Sequence, residues 1–88
     1  MEIKWNEEKN TWLKRERGVS FEDVVDAIIR QDYIGPEENP SRENQWIIIV
    51  RINDYPCVVP FVKDENGDWF LKTIFQSRKM KKRFDDEK

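Results

Sequence analysis

The sequence predicts an α+β fold, with a strand and two helices followed by three antiparallel strands and a last helix. Apolar residues recur at helical spacing in the first third, β-branched and aromatic runs separated by turn sequences fill residues 45–75, and a basic segment ends the chain. Helices and strands that are segregated in this way are typical of helices packed on one face of a small sheet. The 88 residues are sufficient for one domain, which we expect to span residues 1–88.

The first third of the chain carries one short strand signal and two helix signals. Residues 2–5 alternate polar and apolar side chains, which predicts a strand at an edge of the sheet. Residues 7–17 form a predicted helix that ends at Gly18, a residue type that favours helix termination. Ser20 is a suitable cap for a second helix through residue 30. Its apolar positions are Phe21, Val24, Val25, Ile28 and Ile29.

The middle of the chain predicts a loop and then a three-stranded meander. Residues 32–44 contain glycine, prolines and acidic residues without apolar periodicity, so we expect a loop there. Residues 45–52 are rich in isoleucine and predict a central strand that is covered on both faces. Turn sequences then separate the predicted strands 56–63 and 69–75. Pro60 cannot donate a hydrogen bond to a neighbouring strand, so it must lie at a bulge or face an unpaired edge.

A basic helix is expected to end the chain. Ser77 is a suitable cap for it, and Met80 and Phe84 have the four-residue spacing of a pair that packs on the core.

Several kinds of chemistry are excluded by composition. The chain has no histidine, so it offers no imidazole base and no histidine-ligated metal site. Its one cysteine, Cys57, cannot form an internal disulfide and is expected to be an apolar packing residue. We expect no cofactor and no metal. No apolar run is long enough to span a membrane or to direct secretion, which predicts a cytoplasmic protein without membrane contact.

Charge is unevenly distributed along the chain. The net charge is only −2, yet residues 72–84 contain six lysines and arginines and no acid. A local basic stretch on a mildly acidic protein favours a phosphate-bearing ligand at one place on the surface. The alternative is a solvated lysine-rich helix without a ligand.

Four segments, in order and in spacing, resemble the BrnT family of toxins: Trp5-Asn6-Glu7-Glu8-Lys9-Asn10, Arg17-Gly18-Val19-Ser20-Phe21-Glu22, Gln45-Trp46-Ile47-Ile48-Ile49-Val50-Arg51 and Ile74-Phe75-Gln76-Ser77-Arg78-Lys79. The resemblance covers nearly the whole chain. It implies a fold similar to RelE-type ribonucleases and the activity of a type II toxin, which cleaves RNA until a cognate antitoxin binds it.

The sequence departs from the family pattern at several positions. The family usually has a Lys-His pair where this chain has Glu16-Arg17, and it tends to have an arginine at the position of Thr73. It also commonly has a glycine at the position of Val50. Arg51 and Arg78 match the family directly. By strand alternation Lys72 would face away from Thr73, unless a bulge turns it.

RNA cleavage without a metal needs cations for the charge that develops on phosphorus, together with a proton acceptor and a proton donor. Arginine pairs two phosphate oxygens at once, so Arg51 and Arg78 are the candidates for the first role, meeting across one sheet face. The alternative for Arg51 is a strand-end cation paired with a surface acid. Lys72 and Lys79 are the candidates for proton transfer, because neighbouring cations favour loss of a lysine proton.

RNA binding is assigned to Lys81, Lys82 and Trp69. The two lysines extend the basic segment, and Trp69 follows a turn, where an aromatic ring is partly exposed and available for base stacking. The other three tryptophans are expected inside the protein.

The resemblance also implies partners. A cognate antitoxin, either of ribbon-helix-helix type or of another kind, is expected to cover the basic groove, and the assembly is expected to be a homodimer or a toxin–antitoxin heterotetramer. Two other functions stay open: a module on the same scaffold that binds RNA or the antitoxin without catalysis, and an interaction protein that docks a partner on an open sheet edge.

Overall fold

A computed structural model describes residues 1–87 and shows three helices packed on a six-stranded sheet. Within these residues, no helix has the length and apolar character that crossing a membrane requires. The elements in chain order are β1 (Ile3–Lys4), α1 (Glu7–Arg17), α2 (Phe21–Ile29), β2 (Tyr33–Glu38), β3 (Trp46–Ile52), β4 (Tyr55–Lys63), β5 (Trp69–Leu71), β6 (Phe75–Gln76) and α3 (Lys79–Glu87).

The first helix has the predicted bounds, and the second begins as predicted and ends at Ile29, one residue before the predicted end. The Asn6 side chain accepts a hydrogen bond of 2.9 Å from the Lys9 N–H and so caps α1. Gly18 ends α1 with a φ of 67°, a left-handed conformation that favours glycine. Ser20 and Asp23 form a capping box at the start of α2, in which each side chain accepts from the other residue's N–H.

The strands follow the order β1-β5-β4-β3-β2, and β6 pairs with β4 beyond the end of β5. The meander of β3, β4 and β5 is antiparallel, as predicted. The first strand lies at an edge, where it pairs parallel with β5, so its predicted position is confirmed.

The segment from residue 32 to residue 44 was expected to be a loop, and that prediction is wrong for β2. Tyr33 pairs with Val50 and Ile34 with Ile49, and the register shifts before Glu37 pairs with Ile47. Gly35 and Pro36 are poor strand formers, but an edge strand with an irregular register tolerates them. The strand forms through hydrogen bonds to β3, which no local pattern reveals. The remaining loop covers residues 39–45.

The predicted strand 69–75 is interrupted. Phe61 pairs with Leu71 and Val58 with Phe75, so residues 72–74 lie opposite residues 59–60 and form a bulge. Pro60 lies opposite this bulge, which confirms the prediction made for it. Its carbonyl accepts a hydrogen bond of 2.8 Å from the Lys72 N–H. The ladder breaks here because proline has no N–H to continue it.

Helices cover both faces of the sheet, so the expectation of helices on one face only is wrong for α3. Ile48 and Val50 belong to the core under α1 and α2, whereas Ile47 and Ile49 pack with Phe84 of α3. A strand that is apolar at every position needs cover on both faces. Phe84 is 1% exposed, and Met80 packs against the same cluster, so the predicted buried pair is confirmed.

All four tryptophans are half-buried at the margin of the core, including the three expected inside. Trp5 stacks on Phe21, and Trp69 stacks on Phe61 with ring centroids 4.0 Å apart. A side chain of this size is rarely enclosed completely in a small protein. Cys57 is fully buried, as expected of a packing residue.

Candidate nucleic-acid interface

An open groove of about 710 Å³ lies on the face of the sheet that carries α3. Ile47 of β3 and Val58 and Pro60 of β4 form its apolar floor. The 39–45 loop forms the wall of the groove at the β3 edge of this floor. The bulge at residues 72–74 forms the opposite wall, at the edge toward β5. The groove therefore crosses two central strands, a width of about 10 Å between its sides at the usual strand spacing.

Three cationic residues line the groove. Arg42 comes from the loop, Lys72 from the bulge and Lys79 from the first turn of α3. Among residues 1–87, no carboxylate lines this groove, and none forms an ion pair with these three side chains. Unpaired cations around a shared concave surface produce a positive potential that attracts phosphate.

The bulge brings Lys72 and Thr73 into the same groove, although simple alternation would place them on opposite faces. The Lys72 ammonium lies 5.4 Å from the centroid of the exposed Phe70 ring. A lysine therefore reaches the groove next to the position where the resemblance places an arginine.

Arg17, the last residue of α1, contacts the same bulge from the other face of the sheet. Its Nη1 donates a hydrogen bond of 2.6 Å to the Ile74 carbonyl and lies 3.4 Å from Thr73 Oγ1. Its guanidinium carbon is 4.8 Å from the centroid of the Trp12 ring. Arg17 was not predicted as a site residue, although it occupies the position where the resemblance expects a histidine.

Arg51 and Arg78 do not line the groove. Arg51 is one-third exposed, and its Nε lies 3.9 Å from Asp32 Oδ1. Its guanidinium carbon lies 4.5 Å from the centroid of the Phe84 ring, so the side chain lies against the middle of α3. Arg78 is exposed directly before α3 and has no ion pair with a carboxylate of the described chain.

The cations of the basic segment, residues 72–84, differ in whether they form ion pairs with carboxylates. Lys82 lies 3.8 Å from Asp86, and Arg83 forms two hydrogen bonds of 2.8 and 2.6 Å to Glu37 and one of 2.6 Å to Glu87. Lys81 has no ion pair within residues 1–87. Cations near the start of α3 are thus available to a ligand, whereas Arg83 near its end holds the helix against β2.

The Arg83–Glu37 pair perturbs both groups. Hydrogen bonding to Arg83 holds the pKa of Glu37 below its usual value of 4.5. Glu37 and then Glu87 raise the pKa of Arg83, which keeps the guanidinium charged. This ion pair connects α3 to the edge strand β2 and stabilises the packing of the helix there.

Phe75 supplies an aromatic surface to the groove and is 41% exposed. Trp69, the predicted stacking residue, packs against the core under α1 and α2 on the opposite face of the sheet. Neither Phe75 nor Arg42 was predicted, because Phe75 was assigned to a continuous strand and Arg42 to a featureless loop.

Metal ligands do not converge in the part of the chain that is described. Within residues 1–87, no three cysteine, aspartate or glutamate side chains are arranged to hold an ion. Burial, with a smaller contribution from Asp23, raises the pKa of the Cys57 thiol to about 11, so it is a poor ligand and a poor nucleophile.

No protein-family model matches this sequence, and no curated protein matches it. A solved structure does match: the ribonuclease toxin BrnT of Brucella abortus, at 16% sequence identity and a TM-score of 0.64. The match covers 88% of this chain and 96% of that one. The α+β architecture predicted from the sequence is confirmed, and the chain has the fold of the BrnT ribonuclease toxin.

Proposed function

We propose that this protein is the toxin of a toxin–antitoxin pair, a metal-independent endoribonuclease with residues 1–88 acting as one domain. One observation carries the proposal: on a ribonuclease-toxin fold, three cations without an ion pair to any carboxylate of residues 1–87 share one groove with an exposed phenylalanine, and none of those carboxylates lines it. This combination of positive charge and an aromatic face is suited to single-stranded RNA.

The proposed reaction is an intramolecular transfer within RNA. The ribose 2′-oxygen attacks the adjacent phosphorus, a new O2′–P bond forms, and the P–O5′ bond breaks. The 2′-hydroxyl proton goes to an acceptor, and a proton is delivered to the departing 5′-oxygen. The products are a 2′,3′-cyclic phosphate and a 5′-hydroxyl, and no oxidant or co-reactant is needed.

We assign the phosphate to Lys72 and Lys79, which enter the groove from the bulge and from α3. Their ammonium groups stabilise the charge on the phosphorane and are the candidates for delivering the proton that the departing 5′-oxygen takes up. Arg78 and Lys81 extend the phosphate-binding surface along the exposed start of α3, and Lys82 continues it. Arg51 supports α3 through Phe84 rather than contacting RNA.

Cleavage of a 5′-labelled unstructured RNA by the purified protein tests this proposal. Lys72→Ala and Lys79→Ala should each lower the cleavage rate by about 100-fold, the usual cost of one transition-state donor. Lys14→Ala is the matched control, because it removes a cation on the surface of α1 whose one ion pair within residues 1–87 is with Glu22. Wild-type protein that leaves RNA intact, or equal losses in all three variants, would contradict the proposal.

An antitoxin is the proposed regulator. A protein that covers the groove would block Lys72 and Lys79, and we expect one of ribbon-helix-helix type that assembles with the toxin as a heterotetramer. Co-expression with the product of the neighbouring gene, followed by size-exclusion chromatography and a cleavage assay, tests this. A complex that still cleaves RNA at the full rate would contradict it.

The second candidate is a module that binds RNA or an antitoxin without cleaving RNA. The chain has no imidazole, and threonine stands at position 73, where the resemblance expects an arginine. This candidate predicts salt-sensitive RNA binding and no 2′,3′-cyclic phosphate product. Measuring binding and cleavage on the same oligonucleotide distinguishes the two functions.

A further inference from the structure

The 39–45 loop places two amide side chains in the groove, opposite the bulge that carries Lys72. Gln45 and Asn39 both line the groove and both are half-buried. Amides combine a donor and an acceptor, whereas the lysine and arginine side chains of the groove carry donors only. These two residues therefore add a kind of contact that phosphate binding does not need.

The loop holds Gln45 in a defined position. The Asn39 N–H donates a hydrogen bond of 2.9 Å to the Gln45 carbonyl, and Asn39 Nδ2 lies 3.5 Å from Gln45 Oε1. Asn39 Oδ1 in turn accepts a hydrogen bond of 2.9 Å from the Ser41 N–H. Within residues 1–87, the Gln45 Nε2 group has no hydrogen-bond partner, so it is available to a ligand in the groove.

The floor between these amides and Lys72 is suited to a flat apolar ring. It consists of Ile47, Val58 and Pro60, and the exposed Phe75 lies in the same groove. The volume of about 710 Å³ lies within the range of roughly 300–1,000 Å³ over which pockets enclose small organic ligands. The groove thus contains a phosphate side, an apolar floor and an amide side.

We propose that Gln45 reads the edge of one unpaired nucleobase that lies on the groove floor, with Asn39 as its positioning residue, while the phosphate binds Lys72 and Lys79. Unstacked bases of single-stranded RNA offer adjacent donors and acceptors on their edges, which an amide matches. The ligand class is a single-stranded RNA with a base preference at this position. The inference rests on the proposed function and adds selectivity to it.

Binding of the full-length protein to three ten-nucleotide RNAs, made only of adenosine, cytidine or uridine, tests the inference. Wild-type affinities should differ by about fivefold or more between the best and the worst RNA, as expected of one direct base contact. Gln45→Met keeps the length of the side chain and removes both polar groups. Gln45→Met should reduce this spread, the ratio between the best and the worst RNA affinity, to less than twofold, with the salt dependence of binding unchanged.

Asn66→Ala is the matched control, because it removes an amide from the exposed turn between β4 and β5, outside the groove. This variant should keep the wild-type spread. A wild-type spread below twofold, or a spread that persists in Gln45→Met, would overturn base reading and leave the proposed function standing. If none of the three RNAs binds, both proposals fail. Circular dichroism of each variant separates a lost contact from a lost fold.

Discussion

The Arg17 guanidinium donates a hydrogen bond of 2.6 Å to the main-chain carbonyl of Ile74. This contact joins the last residue of α1 to the bulge from which Lys72 and Thr73 enter the groove. Ile74 is fully buried, so its carbonyl has little access to water as a replacement partner. The shape of the groove therefore depends on a helix that packs on the other face of the sheet.

Replacing Arg17 by alanine should lower both stability and RNA binding. Loss of a hydrogen bond from a charged donor to a buried carbonyl should reduce the free energy of unfolding by about 1–2 kcal/mol. Urea denaturation followed by tryptophan fluorescence measures this. Arg15→Ala is the control, because the one ion pair of Arg15 in the described part of the chain is with its exposed neighbour Glu16. Equal denaturation midpoints for Arg17→Ala and wild type would show that the contact adds nothing.

The pair of Glu37 and Arg83 should make stability depend on pH in the acid range. The pKa of Glu37 lies below 4.5 in the folded protein, so this contribution is present in full above pH 4.5 and is lost as the pH falls through the lower value. Because both side chains are about one-third exposed, Glu37→Gln should cost only about 0.5–1 kcal/mol at pH 7.

Urea denaturation of Glu37→Gln and wild type between pH 7 and pH 3 checks this prediction. The difference between the two proteins should narrow below pH 4.5. A constant difference over the whole range would mean that the charge of Glu37 has no part in stability.

Phe84 and Phe75 should separate stability from binding. Phe84 is 1% exposed and packs α3 onto the sheet, so Phe84→Ala should cost about 3–5 kcal/mol of unfolding free energy. Phe75→Ala should change stability by less than about 1 kcal/mol, because its ring is 41% exposed, and should weaken RNA binding by about tenfold through lost base stacking. Unchanged RNA affinity in Phe75→Ala would remove Phe75 from the interface.

The Cys57 thiol should be unreactive in the folded protein. With a pKa of about 11, only about one thiol in a thousand is ionised at pH 8, and burial blocks access as well. A disulfide reagent such as Ellman's reagent should therefore label Cys57 within minutes in 6 M urea and over hours without it. Fast labelling of the native protein would contradict the burial of this strand.

The sequence predicted the elements whose signals come from residues close together in the chain. The caps at Asn6 and Ser20 and the termination at Gly18 act within one helical turn, so their signals are local. The β2 strand depends on pairing with β3, and its Gly35-Pro36 pair has the composition of a loop. The interruption between β5 and β6 depends on Pro60 in the neighbouring strand. Neither feature can be derived from its own segment.

The candidate site was predictable in its charge but not in its arrangement. The acid-free segment indicated Lys72 and Lys79, and both line the groove. Arg51 lies instead against Asp32 and Phe84, since α3 packs on the face that was expected to be uncovered. Arg42 belongs to a loop without a pattern of its own, and Gln45 was expected in the strand that begins at Trp46 in the structure. Only the fold places the 39–45 loop across the groove from the bulge.

Salt dependence of RNA binding tests the central claim most directly, namely that unpaired cations of the groove bind RNA phosphate. Each phosphate contact on single-stranded RNA makes the slope of log affinity against log salt concentration more negative by about 0.7, so the three groove cations together contribute about −2. In the double variant Lys72→Ala/Lys79→Ala the slope should be less negative by about 1.4, while Lys14→Ala keeps the wild-type slope. A double variant with the wild-type affinity and slope would show that RNA does not bind in this groove.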